Sequence, residues 1–212
     1  MGESGRYDVR HEDMVMIECD DCSDDTAVVG RIEMNAEMKY EFDEDDEANW
    51  AMSQDCKMLP ANDNNFSGCE RNWRNYDSDL VQNWSRSDLT SLENAEYSPT
   101  TDKTSEVHAT FSASVGGIGV SVGVDHPEQR RDMTYTYDEE IRGEYNQFTY
   151  DAAWKDTQIG HVSAWYSDRP SNGYDDIAPS YFHGGFIGDD CNGNSGEVAS
   201  SDVFEMFEWH EF

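Results

Sequence analysis

Gly30-Arg-Ile-Glu-Met-Asn-Ala-Glu-Met-Lys-Tyr-Glu-Phe42 decides the fold: Ile32, Met34, Ala36, Met38, Tyr40 and Phe42 alternate without a slip with Arg31, Glu33, Asn35, Glu37, Lys39 and Glu41. Side chains along a β-strand point to opposite faces in turn, so this period of two predicts a half-buried strand, whereas a helix would scatter the same apolar residues around its axis. The solvated face carries both signs of charge, which lets cross-strand ion pairs support the alternation. The acidic run DEDDE at 43–47 ends the strand in a solvated turn.

The same logic extends to residues 107–167. Phe111, Ala113 and Val115 alternate, Gly116-Gly117 supplies the positive φ angles of a tight hairpin turn, and Ile118, Val120, Val122 and Val124 alternate on the return. Met133–Tyr137, the aromatics Tyr145, Phe148 and Tyr150, and QIGHVSAWYS at 158–167 read as three further strands. Composition agrees, with four leucines against 13 valines, seven isoleucines and ten threonines, the inverse of a helical preference. The expected fold is all-β, an antiparallel sandwich or barrel. It forms a single β-rich domain over 1–212, with core strands in 26–47 and 107–167.

Between them, residues 48–106 are rich in Asn, Ser and Asp, are broken by Pro60 and Pro99, and hold only a weak helical pattern in SDLTSLENAE. They read as a loop-rich insertion. Its Trp50, Trp73 and Trp84 pack against something, as a satellite cluster or as partner anchors. Residues 168–212 read as loops punctuated by Gly and Asp, closing in VFEMFEWHEF, which fits helix and strand about equally. The apolar content of that terminus, Phe207 and Trp209 above all, marks it as a segment that docks on the domain or on a partner.

The chain has 46 Asp and Glu against 14 Lys and Arg, a formal charge of -32, spread over nearly every segment. Such a surface repels nucleic acid and anionic membranes, so neither is an expected partner, and the even spread argues against a DNA mimic. Self-repulsion on this scale becomes compatible with a compact state once molar salt shortens the Debye length to roughly 3 Å. Only four of the basic residues are lysines. The pattern resembles that of haloarchaeal proteins and of the viruses that infect haloarchaea, a resemblance to an adaptation that carries no active site. Eleven Tyr, nine Phe and six Trp supply the buried area that a disordered acidic tail lacks.

Cysteines stand at 19, 22, 56, 69 and 191. Cys56 and Cys69 bracket a polar segment and are expected to form a disulfide worth roughly 3 kcal/mol. Cys19-Asp-Asp-Cys22 is half of a zinc pattern with no second half.

Two motifs bear on chemistry. Asp63-Asn-Asn-Phe-Ser-Gly68 places oxygen donors at positions 1, 3 and 5 and glycine at position 6 of a calcium loop, so Asp63, Asn65 and Ser67, with Glu70, are candidate cation ligands, although position 12 is Arg74. A structural cation such as calcium is the only cofactor this implies. Cys191-Asn-Gly-Asn-Ser-Gly-Glu197 resembles the nucleophile loop of trypsin-like serine proteases, C-x-G-D-S-G-G. That resemblance implies Ser195 as nucleophile, the amides of Gly193 and Ser195 as an oxyanion hole, and His161 or His183 as base. Asn194 and Glu197 depart from the pattern, and a Gly/Asn-rich turn accounts for the same residues.

The function expected is that of a non-enzymatic, salt-adapted surface or structural protein, a virion component or cell-surface assembly protein outside a halophilic cell. Its partners would be other protein subunits, copies of itself included. The alternatives are a secreted serine hydrolase using Ser195 and an extracellular carbohydrate- or cation-binding module.

Overall fold

The computed structural model describes residues 3–19, 25–43, 47–61, 72–83, 89–98, 107–126, 133–138, 143–153, 157–168, 180–189, 194–202 and 204–206. Its strands are β1 (Glu3–Glu18), β2 (Thr26–Phe42), β3 (Glu47–Pro60), β4 (Arg74–Asn83), β5 (Leu89–Ser98), β6 (Val107–Val115), β7 (Ile118–His126), β8 (Met133–Asp138), β9 (Gly143–Ala153), β10 (Thr157–Asp168), β11 (Ser180–Asp189), β12 (Ser195–Ser200) and β13 (Phe204–Met206). Every pairing between them is antiparallel. The all-β expectation therefore holds.

The larger strands form a first sheet in the order β1-β2-β3-β10-β5 and a second in the order β12-β11-β4-β9-β8, with β13 also pairing β11. β6 and β7 make a separate hairpin. Gly30–Phe42 runs to the end of β2, and its burial alternates as expected, with Ile32, Met34, Met38 and Phe42 each at most 2 % exposed. These residues share a face with Cys56 and Met58 of β3 and Ile159 of β10. That face packs against Leu80 of β4, Phe182 and Phe186 of β11, and Ala199 of β12 in one core cluster. The two large sheets are thus stacked face to face. Phe186 lies so close to Gly30 that a Cβ on that glycine would run into its ring, so the absence of a side chain sets how closely the layers approach.

The hairpin covers part of the other face of the first sheet, where Val115, Val120 and Val122 meet Ala51 of β3 and Val162 and Ala164 of β10. Its turn is the expected Gly116-Gly117 pair, at φ of 54° and 96°. β3 and β10 are consequently buried on both faces.

Two parts of the reading change. The segment 48–106 carries β3, β4 and β5 rather than a loop-rich insertion, and the weak helical pattern in SDLTSLENAE falls largely within strand β5. In the segment 168–212, β11, β12 and β13 stand where loops were expected, and the terminus is extended at Phe204–Met206. Trp84, Phe207 and Trp209 lie outside the described residues.

Candidate interaction face

The charged residues of β2 look away from the second sheet, and the neighbouring strands continue their face. Pairing sets Asp8 of β1 beside Glu37 and Arg10 beside Asn35, and on the other side Asn35 beside Asp55 and Glu37 beside Ser53 of β3. The hairpin stands on β3 and β10 and stops short of β1, leaving a groove of about 290 Å³ between them. Its floor is Asp8, Arg10, Asn35, Glu37, Ser53 and Asp55, and its wall is Ser121 and Val122 of β7.

Ion pairs tie this face together. Arg6 reaches Asp8 at 2.7 Å and Glu37 at 3.3 Å, Lys39 reaches Glu37 at 2.9 Å, and Arg31 reaches Glu33 at 2.6 Å and Glu12 at 3.3 Å. Lys39 Nζ also donates to the carbonyl of Gly119 at 2.8 Å, fastening β2 to the hairpin. Half-exposed pairs of this kind are each worth ~0–1 kcal/mol, so their importance lies in placing the few cations of an acidic chain on one face.

Asp55 is the most perturbed carboxyl of the groove. Burial pushes its pKa up, while hydrogen bonds from Asn35 Nδ2 at 3.2 Å and Gln158 Nε2 at 3.0 Å pull it back. A carboxyl whose folded pKa lies above its unfolded value binds its proton more tightly in the native state. Its ionisation therefore removes stability as pH rises through the interval between the two values. Asp55→Asn should accordingly raise the thermal midpoint at pH 7, and the advantage should vanish below about pH 3, where both forms of the aspartate are protonated. Melting curves at the two pH values check this, and a lower midpoint for the variant at pH 7 would contradict it.

Cys56 is a free thiol with no exposed surface. The expected Cys56–Cys69 disulfide is not made: Cys56 projects from β3 into the core between the sheets beside Met34 and Ile159. Burial pushes its pKa well above the usual thiol range, and the negative charges of Asp55 and Glu33 add to the effect. Cys56 should therefore resist alkylation in the folded protein and react on denaturation. Peptide mapping that located label at Cys56 before unfolding would refute its burial.

The structure keeps Ser195 and His183 apart. Ser195 is exposed at the start of β12 and pairs with Asp189 of β11, while His183 pairs with Asp79 farther down the same β11 strand. The six residue steps along β11 between those positions span roughly 20 Å, far beyond the reach of a nucleophile and its base. His161 lies on the core face of β10, wholly buried. There its carbonyl accepts from Gln82 Nε2 at 3.5 Å, and Ser163 Oγ donates to Gln82 Oε1, a polar link between the two large sheets.

Trp50 and Trp73, expected among the partner anchors, are 0 % and 1 % exposed. Trp50 stacks on Trp165 with centroids 6.1 Å apart and donates from Nε1 to Ser167 Oγ at 2.8 Å, while Trp73 joins the core between the sheets. Both are packing residues. The candidate cation ligands Asp63, Asn65, Ser67 and Glu70, like Cys69, lie outside the described residues. Among the described residues, no group of three or more His, Cys, Asp or Glu side chains could hold a metal ion. No helix is long and apolar enough to cross a membrane.

The sequence reading passed over β1 altogether. Its signal was the alternation of Arg6, Asp8, Arg10 and Glu12 with Tyr7, Val9 and His11, legible once charge is counted as one half of a period of two. No protein-family model matches the chain, and no curated protein is detectably similar to it.

Proposed function

We propose that this chain is a non-enzymatic, salt-adapted structural protein that assembles with other protein subunits on the outside of a halophile, as a virion component or in a cell-surface layer. One observation carries the reading. β1, sixteen residues long, stands at the end of the first sheet, and among the described residues no strand pairs with its outer side. An open strand edge offers a row of backbone donors and acceptors to another chain, and β-sheet proteins ordinarily shorten, cover, charge or twist away such edges. This one is charged from Arg6 to Glu12, yet it is long and also carries exposed apolar side chains, with Met14 at 40 % and Met16 at 57 % exposure.

The composition supports the setting. A body of charge -32 repels its own copies in dilute buffer, and molar salt removes that repulsion beyond a few ångströms. The separation of Ser195 from His183 weighs against the hydrolase alternative, and the burial of Trp50 and Trp73 against the sugar-binding one. Light scattering of the purified chain in about 3 M NaCl, where the Debye length is below ~3 Å, tests the proposal. The expected result is a particle mass that is a multiple of 24.2 kDa. A monomer at every protein concentration would contradict self-assembly.

A further inference from the structure

We infer that the partner of β1 is the β1 strand of a second copy of this chain, paired antiparallel about a two-fold axis through Val9. The inference rests on the assembly reading above and adds to it the surface, the partner and the register.

The charges on the outward face of β1 are self-complementary. With Val9 facing Val9 of the second copy, Arg6 stands opposite Glu12, Asp8 opposite Arg10, Arg10 opposite Asp8 and Glu12 opposite Arg6. Every charge of that row meets its opposite. Sliding the pairing by one side-chain repeat destroys this: in one direction Arg6 meets Arg10 and Asp8 meets Asp8, in the other Asp8 meets Glu12 and Arg10 meets Arg10. Opposite charges directly across a strand pair are favourable and like charges unfavourable, so the pattern both selects the register and penalises its neighbours.

The backbone points to the same centre independently. β1 keeps an unbroken register with β2 from Glu3 to Val15, and the register shifts between Val15 and Met16. The midpoint of the unbroken stretch is Val9. A two-fold pairing about that residue therefore uses the whole regular length of the strand, a ladder of about 40 Å, and ends where the bulge would disrupt it. It joins the two first sheets into one continuous antiparallel sheet, with Met14 of each copy opposite Ser4 of the other and both hairpins on one face. The groove floors at Asp8 and Arg10 then meet at the axis.

Molar salt favours this contact instead of dissolving it. Screening removes repulsion between charges farther apart than a Debye length, and that is most of what opposes two bodies of charge -32. Ion pairs in direct contact across neighbouring strands are screened less, because partial burial in the ladder keeps electrolyte from between the partners.

Charge exchange tests the register. Arg10→Asp sets two pairs of like charge across the axis, and in about 3 M NaCl it should weaken the dimer at least tenfold by sedimentation equilibrium. Adding Asp8→Arg to the same chain restores both opposite-charge pairs with the sign exchanged, and should return the dissociation constant to within about threefold of the parent. Both positions are exposed, and unchanged circular dichroism of each variant shows that the fold is kept. An oligomer that ignores Arg10→Asp, or a double variant as weak as the single one, overturns the β1 pairing and leaves assembly through another surface. A parent chain that is monomeric throughout overturns both.

Discussion

Dialysis from molar NaCl into dilute, divalent-free buffer should unfold the protein cooperatively, with strand ellipticity and tryptophan fluorescence lost together. The native state of a domain is stable by only ~5–15 kcal/mol, a small difference between large terms. Against that margin stand 46 acidic residues on a chain with 14 basic ones. Several of those cations, Arg6, Arg31 and Lys39 among them, are committed to one face of the first sheet. The rest of the acidic surface depends on counter-ions, and lengthening the Debye length from ~3 Å to ~30 Å brings most of its carboxylates into mutual repulsion. Native spectra retained in dilute buffer would show that the composition is tolerated without salt and would remove the physical basis for placing the protein in brine.

The second large effect concerns the aromatic cluster of the first sheet. Trp165 is 0 % exposed and lies nearly parallel to Trp50, at an interplanar angle of 12°. Trp50 is in turn flanked by Tyr40 at 5.7 Å and meets Phe42 edge-on at 71°. Strands β2, β3 and β10 each contribute to this cluster, so removing one ring leaves a cavity that three strands cannot close by a local shift. Trp165→Ala should cost ~3–5 kcal/mol, which for a chain of this size lowers the thermal midpoint by roughly 6–20 °C in molar salt. A change under about 2 °C would mean that the cluster is not a close-packed interior.

What was legible in the sequence follows from how many faces of each strand are buried. β2 has one buried and one solvated face, and a period of two announced it residue by residue. The β6–β7 hairpin shows the same alternation around its glycine pair. β3 failed because it is covered by the second sheet on one side and the hairpin on the other. Ala51 and Leu59 are buried out of phase with Trp50, Met52, Cys56 and Met58, while Gln54 interrupts the apolar row. No alternation survives that arrangement, and the residues between read as a polar segment with a stray tryptophan.

The candidate face was half legible. Its β2 residues were recognised as a solvated strand face of mixed charge. The contribution of β1 went unread because its inward residues include Gly5, His11 and Asp13, which break the apolar row. Asp55 gained its meaning only from the fold, since nothing local says that a hairpin nearly 70 residues later in the chain will lean over it. Trp50 and Trp73 misled for a related reason. An isolated tryptophan in polar sequence looks like an exposed anchor until the strand around it is known to be central.

The dependence of self-association on salt tests the central claim most directly. Sedimentation equilibrium across about 1–4 M NaCl, within the range where spectra show the chain folded, measures it. If salt supports both the compact state and the assembly, the dissociation constant should fall as the salt concentration rises, because screening removes the repulsion between acidic bodies while the β1 ladder remains. A dissociation constant that rises with salt, as for an interface held by long-range attraction, or a chain that stays monomeric throughout, would contradict it.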